Sequence, residues 1–326
     1  MLAQSIPNDI FRRFTPTPLQ AGFAVMGRRI RLETNSPTVL SHVRNVFERY
    51  KDVEQERPEF LWRIVSDSSS GLRPPLSRRI AFSDAGLRFV NLNQRAFLAV
   101  DIDSRQATAF LSPELCADEI GFYSPFLSDL FDLSSAALGL TEIMAGCVAL
   151  DGRGLLVFGS PRSGKTTAGY WARKMGLEFH ADQVTCLELV SGEPRAWGQF
   201  WPIAFRPETL QFLPEIERLA RPFRYRDLNL LCLDNSMFLP PEASSVLPVA
   251  CVFLDRCAAH SPRLTHMDEE ELAPLLFCSL PFIENRRFEH QRREVVRRLA
   301  ELPAYHLAYA ADPRSAAELF PTLLAE

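Results

Sequence analysis

The stretch Leu155–Thr167, LLVFGSPRSGKTT, constrains this chain more than any other. Four apolar residues, Leu155, Leu156, Val157 and Phe158, read as a buried strand. Gly159-Ser-Pro-Arg-Ser-Gly164-Lys165-Thr166 follows, a full match to the spacing G-x-x-x-x-G-K-[ST]. Thr167–Met175 is compatible with a helix and holds no proline. The two glycines let the backbone curl so that successive N–H groups face inward, the geometry that cradles a phosphate. The positive end of the following helix adds to that anion site. Lys165 can reach the β- and γ-phosphates of a nucleotide, and the Thr166 hydroxyl can ligate Mg²⁺. The candidate nucleotide-binding set is therefore Gly159, Ser160, Arg162, Ser163, Gly164, Lys165, Thr166 and Thr167.

The four fixed positions arise by chance in a chain of this length on the order of once in a hundred. The lysines sharpen the match. There are only three, Lys51, Lys165 and Lys174, and one of them falls where a flexible point charge suits phosphate.

The chain has 326 residues, enough for one large or two ordinary domains. A net charge of −4 gives no argument for nucleic acid or an anionic membrane. No apolar run approaches the ~20 residues of a membrane span, and the N-terminus lacks the apolar segment of a signal peptide. Seven cysteines lie scattered, mostly in apolar runs and without a C-x-x-C pair, so buried, reduced thiols in a cytoplasmic protein are expected.

Residues 1–20 read as a flexible lead-in. Residues 21–127 read as an α+β N-terminal region. It opens with strands around a Gly27-Arg28 turn and a helix Pro37–Tyr50 with an inward apolar stripe. A strand Phe60–Val65 follows, then an antiparallel meander between Arg79 and Leu111. Residues 128–326 read as the nucleotide-binding domain. Ser128–Val148 is expected to be largely helical, delivering the chain to the turn Asp151-Gly-Arg-Gly154 and the loop. Leu177–His180 reads as a short strand ending in Ala181-Asp182-Gln183, after which Val184–Leu189 continues extended. The aromatic run Trp197, Phe200, Trp201 and Phe205 reads as sheet packing rather than a base-stacking platform. Leu247–Leu254, Tyr305–Tyr309 and Ala316–Leu324 read as a strand, a strand and a closing helix. Glu284–Leu302 reads as an arginine-rich helix with Phe288, Val295, Val296 and Leu299 inward.

Phosphoryl transfer also needs an acid to hold Mg²⁺ or to activate a nucleophile. Asp182 ends the strand after the motif helix. In a parallel sheet that strand can lie next to the loop strand, with its C-terminal end at the edge where ligands of open α/β sheets bind. Asp255 ends the apolar run PVACVFLD and is the second candidate.

From about Met144 to Leu189 the chain resembles the catalytic domain of HPr kinase/phosphorylase and its bacterial relatives. The resemblance lies in Val148-Ala-Leu-Asp-Gly-Arg-Gly154, Gly159–Thr167 and Ala181-Asp182-Gln183, with Leu302-Pro-Ala-Tyr305-His-Leu-Ala-Tyr309 similar to the closing strand. It implies an α/β fold: a mixed-sheet P-loop kinase domain of the HPr kinase/phosphoenolpyruvate carboxykinase type, beside the β-rich N-terminal region. It implies an ATP- and Mg²⁺-dependent serine kinase acting on a hydroxyl of a small protein, peptide or small molecule, and allows a homo-oligomer. Asp182 would be the general base and, with Thr166, a metal ligand; Lys165 would be catalytic. Two positions depart from the family pattern: Gln183 stands where the family has a second aspartate, and Met144 near where it often has a histidine. His180 is a neighbouring group that could partly compensate. Beside the kinase stand a nucleotide-binding sensor or scaffold that has lost turnover, and a switch-type hydrolase using Asp255, for which no switch segment follows the loop.

Overall fold

The computed structural model describes residues 15–47, 50, 57–67, 80–84, 87–92, 96–198, 202–225, 228–233, 244–257, 261–281, 288–310 and 312–325. The chain is a mixed α/β protein whose contacts divide it into two compact units, Met1–Leu138 and Gly139–Glu326.

In the first unit, β1 (Leu19–Val25) and β2 (Arg28–Thr34) form a hairpin. Its turn is Met26-Gly27, both at positive φ (49° and 72°), one residue earlier than expected. Then come α1 (Pro37–Phe47) and β3 (Phe60–Ser66). The meander follows as β4 (Ile80–Asp84), β5 (Leu87–Leu92), β6 (Ala96–Asp101) and β7 (Gln106–Leu111). The strands pair in the order β1-β2-β3-β7-β6-β5-β4. The helix α1 buries Val39, Val43 and Phe47 against this sheet's core. Two short helices, α2 (Pro113–Ala117) and α3 (Glu119–Gly121), lead through a π-helical stretch, Phe122–Leu127, to α4 (Ser128–Ala137). The expectation that Ser128–Val148 is largely helical holds only as far as Ala137. The helix ends at Ala137, and Gly139 turns the chain at φ 82°. Ser134 on α4 accepts a hydrogen bond from the buried Trp62 Nε1 at 2.9 Å, so α4 belongs to the first unit and not to the second.

The second unit begins with two strands where a helix was expected, β8 (Thr141–Ile143) and β9 (Gly146–Leu150). An Asp151-Gly152 turn, with φ of 51° and 77°, joins β9 to β10 (Arg153–Gly159) as a hairpin. The helix α5 (Lys165–Lys174) leads to β11 (Glu178–Ala181). The chain continues through β12 (Thr185–Val190), β13 (Glu193–Trp197), β14 (Ile203–Phe205), α6 (Ile216–Leu219), β15 (Arg221–Tyr225) and β16 (Leu228–Leu233). It closes with β17 (Ser245–Arg256), β18 (Arg263–Met267), α7 (Glu269–Cys278), α8 (Glu289–Ala300), β19 (Ala304–Tyr309), α9 (Arg314–Ala317) and α10 (Phe320–Ala325). The last two replace the single closing helix expected over Ala316–Leu324. Phe200 and Trp201 lie outside the described residues. Trp197 is half-buried and donates Nε1–H to Glu188 Oε1 at 2.9 Å, and Phe205 is core.

Among the described residues the main sheet has nine strands, with β11-β9-β10-β17-β13-β12-β8 in order and β19 and β18 added beyond β17. The strand β10 is parallel to β17, which is parallel to β19. The apolar run of β10 is buried on both faces, as its composition requires. Leu155 and Val157 enter one core with Ala168 and Ala172 of α5. Leu156 and Phe158 enter the other with Leu272 and Leu276 of α7 and Val295 and Leu299 of α8. Phe158 stacks on Phe253 of β17, ring centroids 4.6 Å apart. Burial of these large side chains, at about 1.5–3 kcal/mol each, fixes β10 and β17 as the frame of the unit.

The strand order has a consequence for Asp182. β8 and β9 are two residues apart in the chain, yet they sit at distant places in the sheet; β11 and β12 are likewise only three residues apart. A few residues span at most about 3.5 Å each, so the sheet curls until these ends meet. Asp182 and Gln183 occupy that corner.

Candidate functional site

The loop after β10 is shaped by its neighbours. Gly159 has φ 146°, and a Cβ there would collide with Ser163 Oγ and lie 2.8 Å from Leu254 O of β17. Gly164 has φ 90°, and a Cβ there would run into the Tyr309 hydroxyl and sit 3.2 Å from Pro313. Arg162 is in the left-handed region at φ 70°, a conformation that costs a non-glycine residue roughly 1–2 kcal/mol. Its side chain, with Ser160 and Pro161, is exposed at the tip of the loop. Ser163 N–H donates to Ser160 O at 3.1 Å, closing a turn.

Ser163 is 4 % exposed, and its hydroxyl finds no partner among the described residues. Gly164, the residue before α5, supplies no side-chain cap, so the first amides of the helix are left to other acceptors. Lys165 is half-buried and folds back over the loop. Its ammonium donates to Gly159 O at 2.6 Å and Ser160 O at 3.1 Å. Burial lowers its pKa, and the Asp182 charge opposes that. Thr167 is buried on the inner side of α5. Its side chain is therefore part of the helix packing, and its backbone N–H is the group it can offer a ligand.

Asp182 comes to this loop by a different route from the one its position in the chain suggested. β11 is not adjacent to β10. It pairs antiparallel with β9, which pairs antiparallel with β10. Two reversals leave β11 parallel to β10, one strand away, so its C-terminal end still lies on the edge that carries the loop. The hairpin partner β9 takes the place next to β10.

Three contacts hold the Asp182 corner. Gly146 opens β9 opposite it, where a Cβ would lie 2.9 Å from Asp182 O and 3.2 Å from Ala181 O. The buried Thr185 donates its hydroxyl to Ala145 O at 2.8 Å, tying the two crossings together. On α5, Gly169 leaves room for the Phe179 ring of β11, so helix and strand pack closely.

At this corner Asp182 is 2 % exposed. Burial pushes its carboxyl up to about 6, while hydrogen bonds from Thr166 and Gln183 and the Lys165 charge pull the other way. Gln183 Nε2 donates to Asp182 Oδ2 at 3.4 Å. The loop residues Lys165 and Thr166 thus lie beside Asp182. A divalent cation fits this donor set: a threonine hydroxyl and one carboxylate beside open loop backbone suit a metal that keeps most of its waters. Among the described residues no group of three or more His, Cys, Asp or Glu side chains gathers for a metal, here or elsewhere.

The other candidates fall apart from Asp182. Asp255 lies near the end of β17, one residue past the level of Gly159, exposed and 3.7 Å from His306 Nε2. It flanks the loop on the side opposite Asp182. His180 is buried with Nε2 2.8 Å from Glu178 Oε2, a contact within its own strand. Met144 is exposed, its N–H bonded to Ser279 O at 2.7 Å. Four cysteines are buried, but Cys232 is half-buried and Cys257 and Cys278 are exposed, which corrects the expectation of buried thiols throughout. Sequence reasoning missed Gly146, Thr185 and Tyr309 as parts of the site. Tyr309 reaches the loop from 146 positions away, through a hydrogen bond from its hydroxyl to Ser163 O.

No family model matches the chain, and no curated protein does. Among solved structures, the HPr(Ser) kinase/phosphatase from Coxiella burnetii is similar over 56 % of this chain and 88 % of its own, at 11 % identity and a TM-score of 0.31. No helix among the described residues is long and apolar enough to cross a membrane.

Proposed function

We propose that the Gly159–Thr166 loop and Asp182 form a site for Mg²⁺ and a nucleoside triphosphate, ATP in the first instance. The site passes the γ-phosphoryl group to a hydroxyl of a protein, peptide or small molecule. The observation that carries this reading is the meeting of Lys165, Thr166 and Asp182, brought from separate elements to one edge of the sheet. The loop amides and Lys165 would hold the phosphates, and Thr166 with Asp182 would hold the metal, whose charge would offset that of the phosphates. Asp182 is suited to take the acceptor's proton. With a pKa near 6 it is ionised at neutral pH, yet it is more basic than an ordinary aspartate.

A second reading, nucleotide binding without turnover, is favoured by Gln183. Its amide occupies Asp182 Oδ2 at 3.4 Å and brings no charge to a metal.

Titration calorimetry of Mg·ATP tests the shared part of both readings. Lys165→Ala is expected to weaken binding strongly while the protein keeps a cooperative melt. Chelating the metal should weaken the wild type as well. Equal affinity in Lys165→Ala and wild type would show that the loop is not the nucleotide site.

A further inference from the structure

We infer that Tyr309 is a positioning residue whose hydroxyl latches the Ser163–Gly164 peptide with its N–H turned toward the bound phosphate. This rests on the loop being the nucleotide site. Tyr309 is the last residue of β19, fully buried, and donates its hydroxyl hydrogen to Ser163 O. Burial pushes that hydroxyl up to about 12, so it is a donor at any ordinary pH.

A trans peptide is planar, and its C=O and N–H point in opposite directions. Holding Ser163 C=O against Tyr309 therefore turns Gly164 N–H away from β19. That N–H has no protein partner among the described residues.

The latch is needed because Gly164 is a glycine. With φ at 90°, this position demands a residue that tolerates the left-handed region, and the tyrosine hydroxyl and Pro313 exclude any side chain there. Glycine equally tolerates the flipped peptide, which would aim a carbonyl at the phosphate and repel it. The flanking residues do not settle the choice. Lys165 secures the carbonyls of Gly159 and Ser160, at the other end of the loop. The turn from Ser163 N–H to Ser160 O fixes the peptide before Ser163, not the one after it.

Tyr309→Phe keeps the ring in the core and removes only the hydroxyl. Tyr305→Phe, on the same strand, is the control for loss of a tyrosine hydroxyl. Binding of Mg·ATP and of Mg·tripolyphosphate would be measured by calorimetry for wild type and both variants, beside thermal melts. Tyr309→Phe is expected to melt close to wild type and to bind both ligands about tenfold more weakly, the size of one aligned hydrogen bond. Equal losses on the two ligands place the effect at the phosphates. Tyr305→Phe should bind like wild type. A Tyr309→Phe protein that binds both ligands as tightly as wild type overturns the latch alone. Wild-type protein that binds neither ligand overturns the site and the latch with it. Should Tyr309→Phe fail to fold, the amide signal of Gly164 in the wild-type protein decides. A large downfield shift on adding Mg·tripolyphosphate supports the latch, and an unmoved signal under saturating ligand overturns it.

Discussion

Asp182 shows how the fold and the proposed chemistry oppose each other at a single residue. Burial raises its pKa from 3.8 to about 6. A carboxyl raised in this way favours the folded state in its protonated form. Its contribution is fully present below about pH 4, falls as pH rises, and is gone above about pH 6. At neutral pH the buried charge therefore costs stability, by roughly 3 kcal/mol from the size of the shift. Asp182→Asn should melt above wild type at pH 8, and the gap should close at pH 4; melts at the two pH values check this. The same ionisation sets the activity. If Asp182 is the base, turnover should fall about tenfold per pH unit below pH 6, which a pH–rate profile would show. A profile flat between pH 5 and 8 would remove Asp182 from the proton transfer.

At the scale of elements, Gly146 carries a separate prediction. A methyl group there meets two backbone carbonyls, and backbone cannot swing aside as a flexible side chain can. Gly146→Ala should cost about 1–3 kcal/mol and displace the Asp182 corner. A loss of turnover larger than the loss of nucleotide affinity would mark the carboxylate, and not the loop, as the displaced part. What could be read from the sequence divides along the same line. The strand, loop and helix from Leu155 to Lys174 were legible because their signals, an apolar run, two spaced glycines and a helix-compatible stretch, lie within a few positions of one another. The direction of β11 was legible, since its C-terminal end reaches the loop's edge. Its place in the sheet was not. The Asp151-Gly152 turn carries the hairpin signal, but Ser128–Val148 reads as helix, and so the hairpin strand that separates β11 from β10 goes unseen. β12 was legible as the extended stretch Val184–Leu189. The corner at Asp182 that parts it from β11 was not, because apolar runs on either side of a corner have the same composition as one continuous strand. Tyr309 and Thr185 act through contacts with residues 146 and 40 positions away, which no local pattern encodes.

At the scale of the whole molecule, the two units are cored separately. Trp62, Phe47 and Leu130 lie in the unit ending at Leu138, while both faces of β10 are covered from within Gly139–Glu326. All the residues assigned to the site fall in the second unit. A fragment spanning 139–326 should therefore melt cooperatively and bind Mg·ATP within a few-fold of the full chain; calorimetry on the fragment checks it, and loss of binding in a folded fragment would place part of the site in the first unit. If loop and carboxylate together move a phosphoryl group, label leaves γ-labelled ATP for a hydroxyl acceptor or water. Full-length protein would be incubated with Mg·ATP at neutral pH, with water or a supplied hydroxyl as acceptor, and wild type compared with Asp182→Asn at saturating nucleotide. The expected result is steady transfer by wild type and a rate roughly 10²-fold lower in the variant with ATP still bound; equal rates in the two proteins, or no transfer by wild type to any acceptor while ATP binds, would contradict it.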